Sequence, residues 1–354
     1  MLKKNLIKNS KKKGETDMEK NITKEIRRIS NLNSFTLLLF YVITMVLVTV
    51  LNAIIVTVDS SGTVLPKGLD TLLAMVLQYL VAVPITLLVF YLIRNRGENK
   101  LSLKSCFCKP KMPAGWVAKW IVIAVGITYT ANIVSTLFFS IIENSTGTKL
   151  NAIDINFGNS TCGIITTFIA LPFFAPIFEE LMFRGSIYRN SEPIGKWFAV
   201  IASGIAFGLF HANYPQLLYA AVLGIFASFM VAKTRSILPA MIMHFIPNSI
   251  GAIQLFLLGG VDMEKVTTDN LQYISEHIIN IFCIGLIGMF IMCVIPLSVI
   301  LLIVEVVKHK ASLKMDKGVF GISTARKTVI YYTAPITVIT YILLIALTVI
   351  NAIQ

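Results

Sequence analysis

The sequence predicts an all-α fold: a polytopic bundle of about nine transmembrane helices with a cytoplasmic N-terminus. Three observations carry that prediction. Of 354 residues, 56% are apolar (AVILMFWYC) and only 14% are Asp, Glu, Lys or Arg, a balance foreign to soluble domains. Apolar runs of about 20 residues, the length that crosses a ~30 Å hydrocarbon core, recur along the whole chain. The net charge of +13 is sorted by loop and not spread evenly.

The runs lie near 34–57, 71–93, 116–142, 162–188, 196–212, 215–232, 237–259, 277–306 and 329–351. The first is too long, and the basic arm before it too extended, for a cleaved signal peptide, so it reads as a retained helix. Runs five to seven are joined by Asn213 to Tyr214 and by Lys233 to Ser236, turns so short that the three must pack as antiparallel neighbours. With the N-terminus inside, 28 of the 31 Lys and Arg residues become cytoplasmic: the arm from Lys3 to Arg28, Arg94 to Lys119, Arg184 to Lys196, Lys233 with Arg235, and Lys308 to Lys327. Only Lys67, Lys149 and Lys265 fall outside, where the loops carry Asp59, Asp70, Glu143, Asp154, Asp262, Glu264, Asp269 and Glu276. This is the positive-inside pattern. It accounts for the excess charge and excludes nucleic acid as the partner. The arm reads as a solvated, partly disordered tail lying on anionic headgroups, which makes membrane lipids the partner instead. The five cysteines are odd in number and scattered, which excludes a disulfide scaffold. Cys106 and Cys108 read as reduced thiols and not as a metal site.

In so apolar a chain, ionisable groups at mid-span are costly and point to function. Glu179 and Glu180 lie in LPFFAPIFEELMFRGSIYRN, His211 ends FGLFH, and His244 and Asn248 lie in MIMHFIPNSI. Counted from the cytoplasmic charges at 1.5 Å per residue, Glu179 is about 15 Å deep, His244 about 13 Å, Asn248 about 20 Å and His211 about 22 Å. Three helices thus carry their strongly polar groups to a similar depth. Glu180 and Arg184 are spaced i, i+4 and can pair, which assigns them to the scaffold and leaves Glu179, rotated by about 100°, for chemistry. Phe207 shares a face with His211, as His244 does with Asn248. Arg184, Lys119 and Glu305 also lie near cytoplasmic ends and read first as interface residues. Pro172, Pro176 and Pro247 open the helices beside the polar groups and favour a wet cavity. Gly204 and Gly208 form a close-packing face.

A carboxylate and an imidazole sharing one water make a general base, and a second His with an Asn amide supplies donors for a developing oxyanion. Alternatively, Glu179, His211 and His244 are the ligand set of a catalytic Zn2+ with water in the open position, although no H-E-x-x-H is present. Ser203 and Ser249 lack the flanking signature of a nucleophilic serine.

E-E-x-x-x-R at Glu179, Glu180 and Arg184, F-x-x-x-H at Phe207 and His211, and H-x-x-x-N at His244 and Asn248 together resemble the CPBP family, the CAAX prenyl protease and bacteriocin-processing (Abi) intramembrane endopeptidases. The likeness covers about residues 162–255. It implies a helical bundle with a membrane-embedded cavity, Glu179 and His211 activating water, and His244 with Asn248 holding the oxyanion. By the same resemblance members are either metal-free glutamate proteases or metalloproteases. The chain then divides into a basic arm (1–33), N-terminal transmembrane helices (34–160), a catalytic core (161–260) and C-terminal transmembrane helices (261–354). The Lys, Ile and Asn-rich composition looks like that of a low-GC bacterium, so the expected location is its plasma membrane. There the expected substrate is a membrane-associated peptide or protein, in bacteriocin-related processing or self-immunity. Two other readings stand beside hydrolysis. One is a membrane immunity or regulatory protein without chemistry, and the other is a proton-coupled transporter, which lacks the two related halves carriers usually show.

Overall fold

The computed structural model describes residues 2–62, 64–96, 100–150, 160–259, 261–262, 265–266 and 271–353, with side chains from residue 17 onward. The side chains of Lys3 to Lys13, and Asp154, Glu264 and Asp269 among the acidic loop residues, lie outside that description. Among the described residues every regular element is helical. The helices are α1 (Asp17–Ser60), α2 (Leu69–Arg94), α3 (Ala114–Thr146), α4 (Thr161–Ser191), α5 (Lys196–Phe210), α6 (Tyr214–Thr234), α7 (Leu238–Leu258), α8 (Ile278–Lys308), α9 (Thr324–Tyr332) and α10 (Pro335–Ile353). All but α5 and α9 are long and apolar enough to cross a membrane, which makes eight such helices among the described residues.

The expected count of nine therefore needs one correction, at the fifth run. Helix α5 has 15 residues, a rise of about 22 Å, less than a hydrocarbon core. It stops because Ala212 takes a left-handed φ of 44° and Pro215, at the start of α6, enters the next helix with no N–H to lose. Ala212 and Asn213 are both buried. The α5–α6 hairpin thus turns within the bundle, and His211 stands at the turn.

Helix α4 is the shared wall of the interior. One apolar cluster joins it, through Met182, Phe183 and Ile187, to α1, α2 and α5. A second joins it, through Tyr188, to α3, α5, α6 and α7. Its winding changes along its length: α-helical over Thr161–Ile165, π-helical over Thr166–Phe174, α-helical over Ala175–Glu180 and π-helical again over Leu181–Tyr188. Pro172 and Pro176 remove backbone donors there, so carbonyls are passed to later partners; Ala175 N–H bonds to Ala170 O, five residues back. Helix α2 has one π turn, Gln78–Ala82, just before Pro84. Gly204 and Gly208 lie against α6. A Cβ at Gly204 would stand 2.8 Å from Ile225 N and 2.9 Å from Ala221 O, so no larger residue fits this crossing.

The basic segments gather at one end of the bundle. Lys111 N–H bonds to Thr234 O at 2.8 Å, Arg235 pairs with Glu192 at 2.7 Å, Lys233 donates to Lys314 O at 3.0 Å, and Arg326 pairs with Glu19 at 2.9 Å. Lys119 and the buried Glu305 pair between α3 and α8 in the same region. Residues 17–33, expected to be part of a solvated tail, are instead turns of a helix continuous with the first apolar run. Ile26 is fully buried, Ser30 donates to Tyr331 O at 2.7 Å, and Asn33 donates to Ser191 at 2.8 Å and Tyr331 at 3.0 Å. Apolar and small polar residues recur there at helical spacing between the charges, giving that helix a face to bury.

Candidate active site

Glu179 and Glu180 sit where the α-helical stretch of α4 gives way to its second π stretch. Both are buried. Glu180 Oε1 accepts from Arg184 Nη1 at 2.8 Å and from His244 Nδ1 at 3.1 Å. Holding that proton on Nδ1 turns Nε2 of His244 toward Glu179, whose Oε2 is 3.9 Å away. On its other side Glu179 Oε1 accepts a hydrogen bond from the Tyr79 hydroxyl at 3.0 Å, while Oε2 has no partner.

Arg184 does not reach an interface, contrary to expectation. It is fully buried, its guanidinium 4.5 Å from the centre of the Phe207 ring. The room comes from Gly224 on α6, where a Cβ would stand 3.1 Å from Arg184 Nη2 and 3.0 Å from Phe207 Cβ. The expected Glu180–Arg184 pair is present, yet Glu180 does more than brace the helix, since it also fixes the ring of His244.

Phe207 packs edge-on against both imidazoles, with ring centres 4.9 Å from His211 and 5.4 Å from His244. His211 Nδ1 lies 2.8 Å from Phe207 O. A carbonyl only accepts, so Nδ1 carries the proton and Nε2 is left as an acceptor. His211 lies within electrostatic reach of Glu179, His244 and Arg184.

Asn248 shares its helix with His244 but has another partner. Its Nδ2 donates to Leu171 O at 3.0 Å. In the π register that carbonyl would be passed to residue 176, a proline with no N–H, and the Asn248 amide takes the missing donor's place. One of its two N–H groups is thus committed to the α4 backbone.

The site holds an unspent carboxylate oxygen and a ring nitrogen in a buried setting, at a separation that one bridging water spans. Among the described residues no group of three His, Cys, Asp or Glu side chains is arranged to hold a metal ion. Glu179, His211 and His244 therefore do not assemble the zinc ligand set. Both Nδ1 atoms and Glu179 Oε1 are already bound within the protein, and both imidazoles pack against Phe207. The Cys106 and Cys108 thiols lie apart, at the basic end. Cys106 contacts Arg189 and Cys108 donates to Arg235 O. Burial pushes the Cys106 thiol up, against the pull of Arg189, and keeps it protonated.

Two contacts at this site escape a reading based on ionisable residues, namely Tyr79 against Glu179 and Glu180 against His244. Tyr79 had a signal, a hydroxyl in the middle of an apolar run where a buried O–H requires an acceptor.

The type II CAAX prenyl endopeptidase Rce1-like family model matches residues 161–250. Those residues are similar to the CAAX-protease family. The CAAX-protease segment runs from the first residue of α4 into α7 and contains Glu179, Glu180, Arg184, Phe207, His211, His244 and Asn248. It makes up about a quarter of the chain. The match supports, in general terms, a membrane protease of the CAAX type acting on membrane-associated substrates. Neither the curated proteins nor the solved structures contain a significant match. Tyr79 and Tyr41, which donates to Phe210 O beside His211, lie outside the CAAX-protease segment.

Proposed function

We propose that this chain is an intramembrane endopeptidase in which Glu179 and His211 activate a water and His244 and Asn248 steady the oxyanion that forms as the water attacks a peptide carbonyl. One observation carries the reading: Glu179 Oε2 has no hydrogen-bond partner in the protein and lies 3.9 Å from the ring nitrogen of His244 in a buried site, where Glu180 Oε2 and Arg184 Nε and Nη2 are likewise unpartnered. An ionised carboxylate there is a base with little solvent to dull it. Donors that are already oriented stabilise developing charge without reorganising. Asn248 has a second N–H free for that purpose, the first being held by Leu171 O.

The 3.9 Å separation favours a second assignment within the same mechanism. With Nδ1–H given to Glu180, His244 Nε2 is an acceptor, so the water bound between it and Glu179 is deprotonated by the pair Glu179–His244, and the second N–H of Asn248 is the oxyanion donor. In either version the substrate is a membrane-associated peptide or protein, the N-terminus is cytoplasmic and the membrane is a bacterial plasma membrane. The chain's work there is processing linked to bacteriocins or to self-immunity.

The test uses the full chain in liposomes, with internally quenched membrane peptides offered with and without a farnesylated C-terminal cysteine. Cleavage is read by fluorescence and located by mass spectrometry. Glu179→Ala and His211→Ala are expected to abolish cleavage while assembly and yield stay at the wild-type level. Full activity in both variants would sink the assignment. Loss in Glu179→Ala and His244→Ala, with His211→Ala only weakened, selects the second version.

A further inference from the structure

We infer that Tyr79 is a positioning residue for Glu179: by binding Oε1 it orients the carboxylate and leaves Oε2 as the oxygen that takes the proton from water. The inference rests on Glu179 being the base, as proposed above, and adds to that site a residue from a helix outside the matched segment.

The geometry is specific. The Tyr79 hydroxyl is 3.0 Å from Glu179 Oε1, in a buried setting on both sides. Its ring stacks at 6.1 Å on Phe178, the residue before Glu179, so both ends of the tyrosine are held by α4. Helix α2 presents the ring from the π turn Gln78–Ala82. Such a turn inserts one residue per turn and re-aims side chains, and this one directs a tyrosine at the carboxylate. The titratable groups facing Glu179 are Tyr79, Tyr41, Tyr219, His211, His244 and Arg184. Of these, Tyr79 alone is within hydrogen-bond distance of it among the described contacts.

A free carboxylate rotates about its last torsion and exchanges its two oxygens. With Oε1 bound, that rotation is arrested and the lone pairs of Oε2 stay toward His244. A group held within a fraction of an ångström of its reacting position does more for the rate than for ground-state binding. Tyr79 touches neither substrate nor water in this scheme, so its loss is expected in kcat and not in KM.

The experiment compares wild type, Tyr79→Phe, Glu179→Ala and the double variant in the liposome assay with the quenched peptide. Phenylalanine keeps the ring and its stacking and removes only the hydroxyl. One hydrogen bond to a charged group corresponds to roughly a ten- to hundredfold fall in kcat, with KM within about twofold. Adding Tyr79→Phe to Glu179→Ala is expected to cost nothing further, because the carboxylate it orients is gone. An activity-independent arm uses infrared spectra. The carboxylate band lost in Glu179→Gln is expected to shift in Tyr79→Phe. Inactive Glu179→Ala beside fully active Tyr79→Phe, or an unmoved band, overturns the role of Tyr79 and leaves the protease reading standing. Active Glu179→Ala overturns the reading itself, and the infrared band then decides the hydrogen bond alone.

Discussion

Replacing Arg184 by Met tests whether the fully buried ion pair is a structural necessity of the site. The guanidinium and the Glu180 carboxylate are both inaccessible and 2.8 Å apart. Methionine fills much of the same length with apolar atoms, so little cavity forms, but Glu180 is left with only the His244 Nδ1 contact at 3.1 Å. Its Oε2 has no partner even with Arg184 present. Removing one member of a buried pair costs about 3–5 kcal/mol, because the other charge is stranded. At about 1.4 kcal/mol per factor of ten, that lowers the ratio of folded to unfolded protein by roughly two to three and a half powers of ten. Removing both charges, in Glu180→Leu with Arg184→Met, strands neither and is expected to recover most of the loss. The assay is SDS-driven unfolding from mixed micelles, followed by circular dichroism, with the two single variants and the double variant forming a cycle. The double variant is expected to be stable but inactive, since His244 loses the acceptor that orients it. A stability of Arg184→Met within about 1 kcal/mol of wild type, or a double variant that carries the sum of both single losses, would refute the reasoning.

Two further outcomes follow from the packing and the donor set. Gly204→Ala is expected to destabilise the bundle by about 1–3 kcal/mol, since its Cβ meets the backbone of Ile225 and Ala221, which cannot move aside as a flexible side chain would. Gly115→Ala, with nothing within 4 Å, is the neutral control, and equal unfolding midpoints for the two would contradict the close α5–α6 crossing. Peptide cleavage is expected to survive stripping with a chelator, because Glu179, His211 and His244 are not arranged as a three-ligand set. Activity lost on stripping and restored by Zn2+ alone would return the zinc reading to the site.

Local information carried much of this protein. Apolar runs and the sorting of Lys and Arg are properties of short stretches, so the helices and the common end of their basic segments were readable from the chain itself. The exceptions were the short α5, where a left-handed Ala212 ends the helix early, and residues 17–33, whose buried face emerges only against α4 and α9. The E-E-x-x-x-R, F-x-x-x-H and H-x-x-x-N motifs were equally legible, because each is a helical spacing within one helix, and the Glu180–Arg184 pair follows directly from i, i+4.

Partnership between helices belonged to the tertiary structure. Which imidazole faces Glu179, whether Arg184 runs to an interface or inward, and what Asn248 bonds depend on groups far apart in sequence. His244 meets Glu180 across 64 residues, Asn248 meets Leu171 across 77 and Tyr79 meets Glu179 across 100. The spacing of residues along a helix sets the direction of a side chain but says nothing of what stands opposite. That depends on how the π turns of α2 and α4 rotate each helix about its axis, and on the glycines that let α5 and α6 close over the guanidinium.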